Sequence, residues 1–174
     1  AAETLIRVNA TPNIKELPNG TRVVTPGTVT YTASMLGLYV AAIAIGERIG
    51  HLDATASKAL VAELHATAEA MRAADAPTAA LSREIAASFT PDRHTVFVGG
   101  GPNYATAYFA MAKWFESLTR HAHLSQLEEW AHEHYFMPRA NVDTFIILPP
   151  GPGRIRGLEQ ARAAREMESR IIIL

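Results

Sequence analysis

The sequence contains no cysteine. This absence excludes disulfide bonds, thiolate zinc sites and cysteine nucleophiles. A chain without thiols fits a reducing compartment, so we expect the protein to be cytoplasmic. The N-terminal residues contain neither a basic segment nor an apolar one, and they therefore do not have the pattern of a signal peptide.

An excess of charge of either sign is also missing. Sixteen Lys and Arg side chains stand against seventeen Asp and Glu side chains, which leaves a formal net charge of -1 at pH 7. Nonspecific binding to nucleic acid or to an anionic membrane requires a basic surface. We therefore expect no nucleic-acid partner for this segment.

Apolar runs long enough for a membrane-spanning helix are not evident either. Residues 30–46 are uncharged, but the densest apolar part, residues 33–45, is shorter than the roughly 20 residues that a spanning helix needs. We interpret this stretch as a buried core or interface helix, because it is apolar on every side. We expect no membrane association.

The chain does have enough apolar material for a core. Of its 174 residues 48% are hydrophobic and 19% are charged, which is not the composition of a disordered segment. This length corresponds to about one domain by the usual range of roughly 100–200 residues. Because the chain begins without methionine and stops inside a strand-like apolar run at residues 170–174, we expect a piece of a longer chain.

The second half alternates strand-like and helix-like segments, and this order predicts an α/β fold with a parallel sheet. There we predict strands at 94–98, 144–148 and 170–174, and helices at 103–120 and 154–169. In the first half we predict strands at 4–8 and 22–25, and helices at 53–75 and 77–89, the second of them starting at Pro77.

A glycine turn, Gly99, Gly100 and Gly101, joins the predicted strand at 94–98 to the next helix. Glycines there allow backbone N–H groups to approach a ligand, and the start of a helix favours an anion such as phosphate. The turn lacks the spacing of a dinucleotide fingerprint, and no Walker lysine follows it. A tight turn that needs glycine for backbone reasons explains the motif equally well.

The helix predicted at 103–120 carries a lysine beside a carboxylate. Its apolar side chains recur three and four residues apart, whereas Lys113, Glu116 and Arg120 lie on a different stripe. The simpler interpretation is a solvated ion pair, which contributes a few tenths of a kcal/mol. A functional carboxylate is the alternative.

Histidines and carboxylates are concentrated in residues 121–134. Four of the seven histidines lie there, together with Glu128, Glu129 and Glu133. Imidazoles with carboxylates could bind zinc or iron, but the helical pattern around Trp130 does not place them on one face. Acid–base chemistry near neutral pH and plain surface polarity remain as alternatives, and we assign no metal ligand.

These motifs together resemble the sugar isomerase (SIS) domain family. The resemblance rests on residues 96–105 (VFVGGGPNYA), 113–116 (KWFE) and 128–132 (EEWAH). It is strongest to the second subdomain of two-subdomain members, such as the isomerase part of glucosamine-6-phosphate synthase and the fructosamine deglycases. In one register it implies a catalytic glutamate at Glu116, a ring-opening histidine at His132 and a nearby glutamate at Glu129.

The resemblance also implies an organisation for the whole chain. Residues 25–32 resemble the segment that leads into the last helix of the first SIS subdomain. Residues 1–50 are then the end of a first subdomain, 51–93 a helical connector, and 94–174 the start of a second subdomain. The implied fold is α/β, with partial three-layer, flavodoxin-like subdomains around parallel sheets.

The function implied is aldose–ketose isomerisation of a sugar phosphate or amino sugar, by carboxylate proton transfer through an enediol. A fructosamine-type deglycase and a non-catalytic module that senses a phosphosugar are the alternatives. The implied substrate-binding residues are Gly99, Gly100, Gly101, Lys113 and Thr28. No cofactor is implied, and a homodimer or higher homo-oligomer would complete the site if a neighbouring subunit supplies His132.

The sequence departs from the family in lacking the C-terminal tail that supplies a lysine to the sugar site in the synthase, and at two further points. Family members bind the substrate phosphate with serine- and threonine-rich loops after early strands of the first subdomain, and this sequence has no such loop. Where the family has His-Gly, this chain has His132, Glu133 and His134. A different or unphosphorylated sugar is therefore an alternative substrate.

Overall fold

The computed structural model describes residues 14–24, 26–90, 92–137 and 141–174. The strand predicted at 4–8 lies outside these residues. The chain divides into two compact units, Ala1–Ser88 and Phe89–Leu174.

The described part of the first unit, residues 14–24 and 26–88, contains a short hairpin and two helices. Strands β1 (Ile14–Glu16) and β2 (Arg22–Val24) pair antiparallel, so the strand predicted at 22–25 is confirmed. The turn between them uses Gly20 at φ 78°, a conformation that glycine adopts at little cost. Helix α1 (Val29–Arg48) and helix α2 (Ala54–Ala87) follow.

Helix α1 is largely exposed, so the first of the two predicted alternatives, a buried core helix, is wrong, while the second, an interface helix, stays a prediction. Of the described residues of α1, Gly46 alone is buried. Val29 and Leu38 are 72% and 68% exposed. Among the described residues of this unit, α2 is the helix that packs against α1, and one helix cannot cover another that is apolar all round. By length and composition alone α1 is long enough to cross a membrane, a test that core helices of soluble proteins also pass.

Helix α2 corrects the prediction of two helices separated at Pro77. It is continuous over 34 residues with Pro77 inside it. A proline removes one backbone hydrogen bond and strains the preceding turn, but the surrounding alanines have the highest helix propensity of any residue. At its start, the Asp53 carboxylate accepts hydrogen bonds from the N–H groups of Thr55 and Ala56, at 2.9 and 2.7 Å.

The second unit is a four-stranded parallel sheet with helical crossovers, as predicted. Its elements in chain order are β3 (His94–Gly99), α3 (Asn103–Leu118), β4 (Ala122–Gln126), α4 (Leu127–Glu133), a 3-10 turn (His134–Phe136), β5 (Val142–Ile147), α5 (Arg154–Glu166) and β6 (Arg170–Ile173). The spatial order is β4-β3-β5-β6. This is the flavodoxin-like order, in which the chain turns one way from the first strand and then the other.

Strand β4 was not among the predicted strands. Its sequence, AHLSQ, places polar residues at three of five positions, so the apolar run typical of an interior parallel strand is absent. It lies at the edge of the sheet and pairs with β3 alone among the described strands. An edge position tolerates this polarity because the strand is only partly covered.

The sheet is covered by helices on both faces, which gives three layers. Alternate residues of a strand point to opposite faces. Val96, Val98 and Ile146 belong to a buried cluster that also contains side chains of α4 and α5, namely Leu127, Trp130, Ala161 and Ala164. On the other face the rings of Phe97 and Phe145 stack at 5.1 Å and both meet Trp114 of α3.

A buried carboxylate ties the amino-terminal edge of the sheet together. Asp143, on β5, is completely buried. Arg93 contacts its Oδ1 atom through Nε and Nη2, both at 2.8 Å, and Arg170 Nη1 lies 3.4 Å from the same oxygen. The entry to β3, the start of β5 and the start of β6 are thereby joined through one side chain.

Candidate functional site

A cleft opens at the carboxyl-terminal edge of the second unit's sheet. Gly99 at the end of β3 is in register with Gln126 of β4 and Ile147 of β5, so the loops after these strands lie at one edge. The chain leaves β3 towards β4 on one side, while β5 lies on the other, and such a switch point is where open α/β sheets bind ligands. The cleft has a volume of about 640 Å³ and is lined by Gly100–Asn103, Gln126–Glu128, Ile147–Arg154 and Arg156.

The three glycines of the turn have different roles. A Cβ atom on Gly99 would overlap the backbone carbonyl of Asn103, so this glycine lets α3 start close to the sheet. A Cβ on Gly100 would lie 3.3 Å from the Leu127 side chain. Gly101 has φ 55° and nothing within 4 Å of its Cβ position, so it faces open space at the cleft. Packing therefore explains the first glycine, and the positive φ explains the third.

Two arginines of α5 line the cleft. Arg156 donates to both carboxylate oxygens of Glu128, with its Nε at 2.9 and 3.1 Å and its Nη2 at 2.9 Å. This bidentate hydrogen bonding holds the pKa of Glu128 below its usual range. Arg154 donates from Nη1 to the carbonyl oxygen of Leu148 at 3.1 Å.

Lys113 and Glu116 form the ion pair that their spacing predicts. The Lys113 ammonium lies 2.6 and 2.5 Å from the two carboxylate oxygens of Glu116, and 5.0 Å from the centre of the Phe109 ring. The lysine side chain is 20% exposed and the glutamate side chain 47%. The lysine is therefore packed on the helix surface, and the carboxylate remains accessible to a ligand.

The structure does not bring this pair together with the glycine turn. Both lie in or next to α3, but the turn precedes its first residue, whereas Glu116 is in its last turn. A rise of about 1.5 Å per residue puts Glu116 roughly 20 Å along the helix axis from Asn103. One small sugar cannot contact both within one chain, so the glycine turn and the pair of Lys113 and Glu116 are separate.

Glu129 and His132 lie on the short helix α4. The Gln126 side chain accepts from the N–H groups of Glu128 and Glu129, at 2.6 and 3.4 Å, which starts the helix directly at the end of β4. The side chains of Glu129 and His132 are exposed, and His132 lies near enough to Glu128 to lower the pKa of that carboxyl. Among the described residues no hydrogen bond or ion pair links His132 to Glu116.

Two further histidines meet beside α4. The rings of His123 and His134 are 6.1 Å apart, edge to face. Burial lowers the pKa of His134, and the proximity of His123 lowers it further, while Glu133 opposes the shift. Within the part of the chain that is described, no group of three or more His, Asp or Glu side chains is arranged to hold a metal ion.

Thr28 belongs to the first unit, where it directly precedes α1 and is exposed. Its carbonyl oxygen accepts a hydrogen bond from the Thr32 hydroxyl at 3.3 Å. No contact of the Thr28 side chain bears on its predicted role in substrate binding, which stays a prediction.

Comparison with solved structures identifies the class of fold. The chain is similar to the C-terminal domain of glucosamine-fructose-6-phosphate aminotransferase from Francisella tularensis, with a TM-score of 0.73, 20% identity, and coverage of 84% of this chain and 41% of that chain. It is also similar to a protein from Salmonella typhimurium LT2 described as sugar-binding, with a TM-score of 0.70, 20% identity, and coverage of 84% and 46%. No protein-family model and no curated protein matches the sequence.

The likeness establishes the fold. At 20% identity the chain has the α/β, flavodoxin-like architecture of the SIS type, as the resemblance in its motifs implies. It spans less than half the length of either of these structures. The activity of the whole protein is therefore a matter for proposal.

Sequence reasoning missed the charged residues of the cleft. Glu128 was predicted only as one of the carboxylates in residues 121–134, and Arg154 and Arg156 have no predicted role, although Arg154 directly follows the proline- and glycine-rich loop 149–153 and Arg156 lies two residues further on. A proline- and glycine-rich loop directly after a parallel strand was the sequence feature that could have indicated these cleft residues. The ion pair between Glu128 and Arg156 joins residues 28 positions apart, and local spacing cannot reveal it.

Proposed function

We propose that the protein binds a sugar or sugar phosphate and interconverts its aldose and ketose forms, with Glu116 as the catalytic base. The proposal includes a cytoplasmic homodimer in which a neighbouring subunit supplies His132. The observation that carries it is the accessible Glu116 carboxylate, held by Lys113 on the helix that follows the first strand of a SIS-type sheet.

The chemistry requires one carboxylate that works on adjacent carbons. In the direction from aldose to ketose, Glu116 takes the proton from C2 and the C1 oxygen gains a proton, which gives an enediol. Glu116 then returns its proton to C1 while the C2 hydroxyl loses its own, and the ketose results. A carboxylate is ionised near neutral pH and can act first as base and then as acid.

Lys113 has two roles in this proposal. Its ammonium contacts both oxygens of Glu116, so it fixes the direction of the carboxylate. A cation at this position also stabilises the negative charge that develops on the sugar oxygens as the enediol forms. His132 relays a proton between the ring oxygen and the anomeric hydroxyl when the sugar ring opens, and Glu129, on the same short helix, completes the polar surface.

Deuterium exchange tests the assignment of the base. The intact protein is incubated in deuterated water with candidate aldose and ketose phosphates, with amino-sugar phosphates, and with fructosamines. NMR then follows deuterium at C1 and C2. We expect Glu116→Gln to slow exchange at least about 100-fold, since general acid–base catalysis contributes this much.

Glu69→Gln is the matched control. Glu69 forms an ion pair with Arg72 at the same spacing on the exposed surface of α2, so its loss imitates the loss of a surface pair without touching the proposed site. Its exchange rate should equal that of the wild type. Unchanged exchange in Glu116→Gln would exclude Glu116 as the base, and no exchange by the wild type with any sugar would exclude the isomerase.

Mixing two inactive variants tests the homodimer. If the site takes Glu116 from one subunit and His132 from the other, hybrids of Glu116→Gln and His132→Gln contain one intact site. Activity should therefore return when the two variants are unfolded together and refolded, but not when each is refolded alone. Failure to recover activity would exclude a site that combines Glu116 of one subunit with His132 of the other.

A further inference from the structure

Two of the histidines in residues 121–134 come together in a way that the sequence does not predict. The helical pattern around Trp130 argues against a shared face, but that helix, α4, ends at Glu133. His123 lies before it, on strand β4, and His134 lies after it, in the 3-10 turn. The chain therefore returns through α4 and brings imidazoles of two different elements to within 6.1 Å, measured between the ring centres.

One nitrogen of this pair has no partner in the described structure. The Nδ1 atom of His134 is buried, and no described residue forms a hydrogen bond with it. Buried polar atoms of native proteins are nearly always paired with protein, water or an ion. The lone pair of a neutral imidazole binds a metal ion, so an ion at this nitrogen would satisfy it.

The groups around the pair favour a cation. Burial lowers the pKa of His134, and His123 lowers it further, so the imidazole is mostly neutral near pH 7. A neutral imidazole is the form that binds metal. The carboxylate of Glu133 opposes this shift, which places its negative charge close enough to attract a bound cation as well.

The distance between the two rings fits one shared ion. A zinc ion lies about 2.0–2.1 Å from each imidazole nitrogen that binds it, so two ligating nitrogens lie roughly 3–4 Å apart. Ring centres 6.1 Å apart allow this separation when nitrogens of the two rings face each other. Because His123 is exposed, its ring can turn to this position, and water can reach the remaining coordination positions.

We propose that His123 and His134 bind one divalent transition-metal ion, such as zinc, with water as its other ligands. Imidazole suits zinc, copper and nickel, whereas magnesium and calcium prefer oxygen ligands. The ion links strand β4 to the turn after α4, so it steadies the short helix that carries Glu129 and His132. This site does not depend on the proposed reaction, and its tests need no turnover.

The first test uses the intact wild-type protein, so it does not depend on the folding of a variant. Zinc chloride and magnesium chloride are titrated separately at neutral pH, and NMR follows the imidazole nitrogens. We expect zinc to bind one to one, to shift the nitrogens of His123 and His134, and to be removed by a chelator. No saturable zinc binding, zinc at other histidines alone, or equal shifts with magnesium would each overturn the proposal.

The second test removes one ligand at a time. His123→Gln and His134→Gln should each weaken zinc binding at least about tenfold in calorimetry, since even an outer partner of a metal ligand contributes about 10–100-fold in affinity. His121→Gln is the matched control, because His121 is exposed in the same segment and its ring contacts Phe115 at 5.9 Å. Its affinity should equal that of the wild type. An equal loss in His121→Gln and His134→Gln, or no loss in His134→Gln, would refute the assigned ligands.

Hydrogen exchange tests the link between the two elements. Saturating zinc should slow amide exchange of residues 127–136 in the wild type, because the ion holds both ends of this segment. The same zinc concentration should have no effect on His123→Gln. His123 is exposed, so this substitution leaves the buried core intact. Exchange that is unchanged by zinc in the wild type would contradict the proposed link.

Discussion

Replacing Asp143 by Asn should destabilise the second unit strongly. The substitution preserves the volume of the side chain and removes its charge. The carboxylate is completely buried, and Arg93, whose side chain is 18% exposed, contacts it through two nitrogens. Removing one member of a buried ion pair costs about 3–5 kcal/mol, because a charge then remains in a place shielded from water.

This loss is large compared with the stability available. A unit of this size is stable by about 4–13 kcal/mol, so the variant retains little of it at the lower end. Urea unfolding followed by tryptophan fluorescence reports the second unit alone, since both tryptophans, Trp114 and Trp130, lie within it. With a slope of about 2 kcal/mol per molar urea, the midpoint should fall by roughly 2 M.

Two further variants decide whether the burial of the pair is the cause. Glu159→Gln removes an exposed partner of Arg156, and the urea midpoint should not change. The double variant Arg93→Met, Asp143→Leu replaces charges by apolar groups of similar volume and should recover part of the loss. If Asp143→Asn shifts the midpoint no more than Glu159→Gln does, the stabilising role of the buried carboxylate is refuted.

Three more predictions concern the backbone and pH. Gly99→Ala should lower the free energy of unfolding in urea by about 1–3 kcal/mol, since its methyl group overlaps the Asn103 carbonyl. Gly153→Ala is the control: Gly153 has φ -77° and its Cβ would make an ordinary contact at 3.9 Å, so this variant should lose little stability. Pro77→Ala should stabilise α2 by at most about 3 kcal/mol, seen as slower amide exchange around residue 77; faster exchange would contradict this. Burial lowers the pKa of His134 in the folded protein. The unfolded chain therefore binds more protons than the folded one below about pH 6.5, and the free energy of unfolding decreases as the pH is lowered through this range. His134→Gln should flatten that decline, and an unchanged slope would count against the burial of the imidazole.

The sheet of the second unit could be predicted because its strands are buried on both faces. Residues 94–98 and 144–148 are then continuous apolar runs, and the glycine turn marks the start of α3. Strand β4 escaped prediction because its sequence, AHLSQ, carries no such run. The helix boundary predicted at Pro77 is wrong for a different reason. Proline usually ends or kinks a helix, but here the high helix propensity of the residues on both sides of Pro77 keeps the helix continuous.

The candidate site also has features that local sequence predicts and features that it does not. The contact between Lys113 and Glu116 follows from three-residue spacing on a helix, and the structure confirms it. The separation of this pair from the glycine turn depends on the length and direction of α3, and residue types alone do not show it. The arginines of the cleft depend on a pairing across the chain, between the starts of α4 and α5.

Transfer of a label within the substrate tests the central claim most directly. An aldose phosphate with deuterium at C2 is converted in ordinary water, and NMR measures deuterium at C1 of the ketose. Because a single carboxylate carries the proton in our account, part of the label should appear at C1, and none should appear with Glu116→Gln. Label transfer that persists in Glu116→Gln would contradict the proposed role of Glu116.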